Sequence, residues 1–276
     1  MKLPAFLLSA VVAVAAVASS AQASVYINNF NSGFSLGDMD GQGGWSTSDP
    51  TPEAGSIIAL GGGWGSRSAS LGFVAPLAND NVYLSHTAST PLVGGNDGVN
   101  ASFSVMFQII DSDSGYGAGA EARDTFGFRL ENASGDNLFS FFLNPFDQHA
   151  IPEEDTAFHT FSWSTGVGSP TLVLNDPLVA AQENFAYTLT INFAASGAND
   201  VSFTGDVNGS AFGGTLAGLS DETITEFGAF WNTLNGGDSP GSNFLIFDNV
   251  SLVPEPSSLL LGLLGATFVL SRRRRA

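Results

Sequence analysis

Residues 24–253 of this 276-residue chain read as an all-β domain, a two-sheet antiparallel sandwich. Three observations point there. The segment is rich in Gly, Ser, Asn, Thr, Phe and Val and poor in helix formers. Its apolar residues alternate with polar ones, as Phe103, Val105, Phe107 and Ile109 do with Ser102, Ser104, Met106 and Gln108. Such runs recur at short intervals, separated by turn residues. So many strands in one domain divide into two packed sheets.

In chain order, Val25 to Phe30 is the first expected strand. It runs into a Gly-rich loop from Ser32 to Trp45. Short strands follow at Ser56 to Leu60 and Ser68 to Val74, parted by Gly61-Gly62-Gly63, then one at Asn81 to Ser85 with Tyr83 turned inward. Val99 to Asp111 carries the strongest alternation. Thr125 to Asn132 and Asn137 to Leu143 form a hairpin around Ala133-Ser134-Gly135-Asp136. Strands at Ala157 to Ser164, Thr171 to Asn175 and Phe185 to Ala194 come next, with room for one helical turn in Asp176 to Asn184. Asp200 to Asp206 pairs with Ser210 to Thr215 across Asn208-Gly209, a strong type I′ signal. Thr225 to Asn232 and Phe244 to Leu252 complete the set.

The two ends are of another kind. Residues 1–23 have the form of a secretory signal: Lys2, an apolar run from Ala5 to Ala18, and Ala21-Gln22-Ala23 as a small-x-small cleavage site. Cleavage after Ala23 leaves Ser24 as the new N-terminus and implies passage through the Sec translocon. Residues 254–276 begin with the stiff Pro254-Glu255-Pro256, continue through an apolar run to Leu270, and end in Arg272, Arg273, Arg274 and Arg275. As a helix the apolar run spans ~22 Å, short for a bilayer, though Arg272 can snorkel. Four arginines hold its end on the cytoplasmic side, tethering the body outside.

These ends change the charge balance. The whole chain is at −18, but the body keeps three arginines and no lysine against all but one of the 26 acids, near −22. Such a surface repels nucleic acid and anionic headgroups and attracts divalent cations. There is no cysteine, so a hydrophobic core alone must hold this domain.

The C-terminal sequence resembles the PEP-CTERM sorting signal: a Pro-Glu-Pro tripeptide, a hydrophobic helix and an Arg-rich end. The resemblance implies a bacterial exported protein, transiently held in the inner membrane. Cutting by an exosortase is expected at or near Pro254-Glu255-Pro256, and the implied destination is an exopolysaccharide layer. Within the body, Phe158-His159-Thr160-Phe161-Ser162-Trp163, the Asp206-Val207-Asn208-Gly209 turn and Phe247-Asp248-Asn249-Val250-Ser251-Leu252 resemble segments of concanavalin A-like lectin/glucanase jelly rolls.

Catalytic signals are weak. Glu153-Glu154-Asp155 begins the Glu-x-Asp-x-x-Glu pattern of hydrolases with this fold, but Phe158 occupies the second Glu position. Gly33-Phe34-Ser35-Leu36-Gly37 matches the nucleophile-elbow string without the strand and helix that it needs. His86, His149 and His159 have no metal-ligand spacing. Ca²⁺ is the candidate cofactor, with Asp111 and Asp113, Asp38 and Asp40, and Asp248 as candidate ligands, because clustered carboxylates in turns suit a hard cation. Asp and Gly also make turns unaided. Trp45 and Trp64, in Gly-rich loops, are either exposed sugar platforms or plugs over the core, while Trp163 and Trp231 belong to strands and the core. The leading expectation is a non-enzymatic surface or matrix protein, weakly glycan-binding. The alternatives are a secreted carbohydrate-active enzyme with an unidentified acid pair and a purely structural matrix protein.

Overall fold

A computed structural model describes residues 25–49, 54–72, 81–92, 99–111, 125–147, 157–165, 171–176, 186–196, 200–218, 222–232 and 243–254. The signal segment, Ala23 and Ser24 included, lies outside them, as do Glu255, Pro256, the apolar tail and Arg272 to Arg275. Among the described residues no helix is long and apolar enough to cross a membrane.

Two antiparallel sheets pack face to face. Sheet A has nine strands. Its main path runs β14 (Ser210–Leu216), β13 (Val201–Val207), β12 (Tyr187–Ala195), β7 (Val99–Asp111), β16 (Asn243–Pro254), β5 (Ser68–Leu71), β4 (Gly55–Ile58) and β2 (Gly37–Asp38). The remaining strand, β1 (Tyr26–Asn28), pairs with the C-terminal half of β16. Sheet B has seven strands in the order β11 (Thr171–Asp176), β10 (Ala157–Ser164), β9 (Asn137–Asp147), β8 (Thr125–Glu131), β15 (Thr223–Asn232), β6 (Val82–Pro91) and β3 (Trp45–Thr47). Strands remote in sequence are neighbours in both sheets, as in a jelly roll.

The alternation read from the sequence faces the core. Phe103, Val105 and Phe107 of β7 and Leu189, Ile191 and Phe193 of β12 are buried, opposite Phe126, Phe128, Phe139 and Phe141 of sheet B. Phe107 meets Phe128 at 5.6 Å and Phe161 at 6.0 Å, edge to face in the second case, across the two layers. Each buried Phe contributes about 1.5–3 kcal/mol from area alone, and aromatic pairs add to that. With no disulfide in the chain, this aromatic layer does the holding.

Two turns behave as their residues require. Asn208 and Gly209 have φ of 48° and 89°, both positive as a type I′ hairpin demands. In the β8–β9 hairpin the Asn132 side-chain oxygen accepts from the amides of Ser134 and Asp136. Three expectations need correction. The loop before Trp45 contains β2, and Trp45 itself begins β3, because Gln42 closes that loop by donating to the carbonyls of Ser35 and Asp38. The fourth expected strand runs on to Pro91 as β6. Tyr83 points away from the core, since Val82 and Leu84 on either side of it are the inward residues. The helical turn expected in Asp176 to Asn184 falls, beyond Asp176, outside the described residues.

Candidate functional site

The residues singled out by sequence do not converge. Trp45 is 1% exposed. Its Nε1 donates to the Tyr26 hydroxyl at 2.7 Å, and its ring packs against Phe30, His86, Phe227 and Phe247. It is the core plug and offers no face to a sugar. Burial pushes the Tyr26 phenol up to about 12, so that hydroxyl keeps its proton. Trp64 is half-buried in a 3₁₀ turn, Gly62–Trp64. Pro254 ends β16.

The Asp candidates are equally scattered. Asp38 accepts from the Asp40 amide and Asp40 from the Thr47 amide, both at 3.0 Å, so this pair shapes the turn into β3. Asp111 ends β7, with its side chain outside the described set, as is Asp113. Asp248 lies three strands from Asp38, with β4 and β5 between β2 and β16. Among the described residues no three His, Cys, Asp or Glu side chains gather as a metal site. Asp248 is 2% exposed on the sheet A face turned from the core. Burial raises its carboxyl to about 6, against the Asn249 amide and Ser68 hydroxyl that favour the anion.

The face of sheet B turned from the core brings together residues that no motif had connected. Three rungs cross β9, β8, β15 and β6. Phe142, Gly127, Phe230 and Tyr83 form the first. Ser140, Arg129, Gly228 and Ser85 form the second, and Asn137, Glu131, Glu226 and Thr87 the third. Glycine in the middle of two rungs lets long side chains lie flat. Phe230 lies across Gly127, where an added Cβ would meet its Cζ at 2.3 Å. Arg129 lies across β15 with its guanidinium carbon 3.5 Å from the Tyr83 ring centroid.

Arg129 Nε lies 2.8 Å from Glu131 Oε1 as an ion pair, without the alignment of a hydrogen bond. Burial raises the Glu131 carboxyl, Arg129 pulls it back, and the charge of Glu226 opposite raises it again. Glu131 and Glu226 are direct cross-strand partners, which places their Cβ atoms about 5 Å apart. Three buried side-chain atoms here have no hydrogen-bond partner: the Tyr83 hydroxyl, on a residue 8% exposed, Asn137 Oδ1 and Arg129 Nε. Arg129 is stacked over the Tyr83 ring. Burial, with the charge of Glu131, keeps the phenol well above its ordinary range and protonated. Unpaired buried polar atoms cost stability, and this recess keeps three of them beside one ion pair, which calls for an explanation.

No family model matches this chain, and no curated protein does. Among solved structures it is similar to a variant of alginate lyase Aly36B in complex with alginate trisaccharide. There the TM-score is 0.49 and the identity 11%, over 86% of this chain and 100% of that one. It is also similar to a CBM2 module of the evolved Dit protein of Lactobacillus casei BL23 phage J-1, with TM-score 0.47 and 16% identity over 83% and 95% of the two chains. Peanut lectin gives TM-score 0.43 and 9% identity over 86% and 100%.

Proposed function

We propose that this chain is an exported surface protein whose sandwich binds a glycan in the recess on sheet B. The observation that carries the binding reading is the set of orphaned buried atoms, Tyr83 hydroxyl, Asn137 Oδ1 and Arg129 Nε, at the Arg129–Glu131 ion pair. Sugar hydroxyls donate and accept, so they suit a set that contains both an acceptor, Asn137 Oδ1, and a donor, Arg129 Nε. Half-buried Phe142 at the rim of the rungs adds apolar surface. A glycan array with the full chain should show binding that Tyr83→Phe weakens several-fold without lowering the melting temperature. Binding unaffected by that change would remove the recess from consideration.

Export rests on the terminal sequences. Signal cleavage after Ala23 and exosortase cutting at or near Pro254-Glu255-Pro256 would deliver the body to the cell surface, beside exopolysaccharide. Intact mass of the secreted form tests this, since a mature protein retaining Arg272 to Arg275 contradicts it. A second reading, a carbohydrate-active enzyme, is favoured by one observation: Glu131 and Glu226 face each other across adjacent strands. Paired carboxylates about 5–10 Å apart are what glycoside hydrolysis uses. Release of reducing sugar from polysaccharide, lost in Glu226→Gln, would establish it.

A further inference from the structure

We infer that the sheet B recess selects a glycan bearing protonated amines, such as a partly de-N-acetylated hexosamine polymer; this rests on the glycan-binding reading above. The first argument is charge. The three rungs carry Glu131 and Glu226 against one cation, Arg129, and Arg129 is committed to Glu131. Glu226 makes no hydrogen bond or ion pair to a described residue. Like charges directly opposite on neighbouring strands repel. A ligand cation between the strands converts that repulsion into attraction.

The second argument is the donor and acceptor count. Asn137 uses its Nδ2 on the Ser140 hydroxyl, which leaves Oδ1, an acceptor, without a partner. The Tyr83 oxygen is also unpartnered. With Glu226, the recess holds three oxygens able to accept, against Arg129 Nε as an unpartnered donor whose charge already faces Glu131. An ammonium group brings three donors and a positive charge; a hydroxyl brings one donor and no charge. The wider surface acts in the same direction, because a body near −22 concentrates cationic ligands and repels polyuronates.

Calorimetric titration of the full chain with hexamers of glucosamine, N-acetylglucosamine and glucose tests the inference. The glucosamine hexamer should bind at least about tenfold more tightly than the other two, as expected for charge-assisted hydrogen bonds. Glu226→Gln should erase that preference, and Tyr83→Phe, which changes no charge, should weaken the glucosamine hexamer several-fold. Hexalysine supplies the control: if it binds as tightly, bulk charge explains the result and the inference is overturned. Equal binding of all three sugars overturns the amine selectivity and leaves the glycan reading standing. No binding of any hexamer removes both.

Discussion

Replacing Asp248 by asparagine gives the clearest test of the electrostatics. The side chain sits on β16, 2% exposed, and burial lifts its carboxyl from 3.8 to about 6. The folded chain therefore holds this proton more tightly than the unfolded chain does. For this group the native state is most stable below about pH 4, and that stability is lost as pH rises to about 6. Each tenfold change in proton affinity is worth about 1.4 kcal/mol, so the loss amounts to about 3 kcal/mol at most. An asparagine keeps an oxygen for the Asn249 amide, now held at 2.7 Å, and carries no charge to desolvate. At low pH the protonated acid can donate to the Ser68 hydroxyl, which itself donates to the Trp64 carbonyl at 3.3 Å. Urea unfolding followed by tryptophan fluorescence at pH 4 and pH 7.5 reads the effect. Asp248→Asn should match wild type at the lower pH and exceed it by up to about 3 kcal/mol at the higher. A variant-minus-wild-type difference that does not change with pH would refute the reasoning. Repeating the titration with Ca²⁺ tests the cation reading of the sequence, since a gain confined to the wild type would place a cation at this carboxylate.

Two packing predictions follow. Gly127→Ala would set a Cβ 2.3 Å from the Phe141 carbonyl oxygen and from Phe230 Cζ; the backbone partner cannot yield, so a loss of about 3 kcal/mol or more is expected as a large drop in melting temperature. Trp45→Phe removes the 2.7 Å bond to the Tyr26 hydroxyl and should cost about 1–3 kcal/mol, with Tyr26→Phe adding almost nothing in that background, as a double-mutant cycle would read.

The alternation of β7 and β12 and the Asn208-Gly209 turn made the sandwich legible, because burial on one face imposes a period that the sequence must carry. The face away from the core carries no such constraint. Glu131 and Glu226 lie 95 positions apart and become neighbours only through the β8–β15 pairing. Arg129 is an isolated cation in the sequence, and its place over Tyr83, on a strand with β15 between, comes only from the sheet order. Tyr83 is hard to place for a related reason: an aromatic in a strand suggests the core, and only the inward Val82 and Leu84 fix its side. The Gly-rich loop before Trp45 failed as a platform because composition reports conformational freedom, whereas the Tyr26 contact decides where that ring goes.

The position of β16 in sheet A fixes an order of events. The last described strand lies at the middle of the sheet, bonded to β7 along one side and to β5 and then β1 along the other. Until residues 243–254 emerge, the half built on β7 has no link to the half built on β5, and the first strand has nowhere to dock. Synthesis from the N-terminus can thus complete hairpins such as β8–β9 and β13–β14 early, but not the sheet. Contacts of such long sequence separation close slowly. The body stays open until its final dozen residues arrive, and a chain that stops short of them is two half-sheets without a seam.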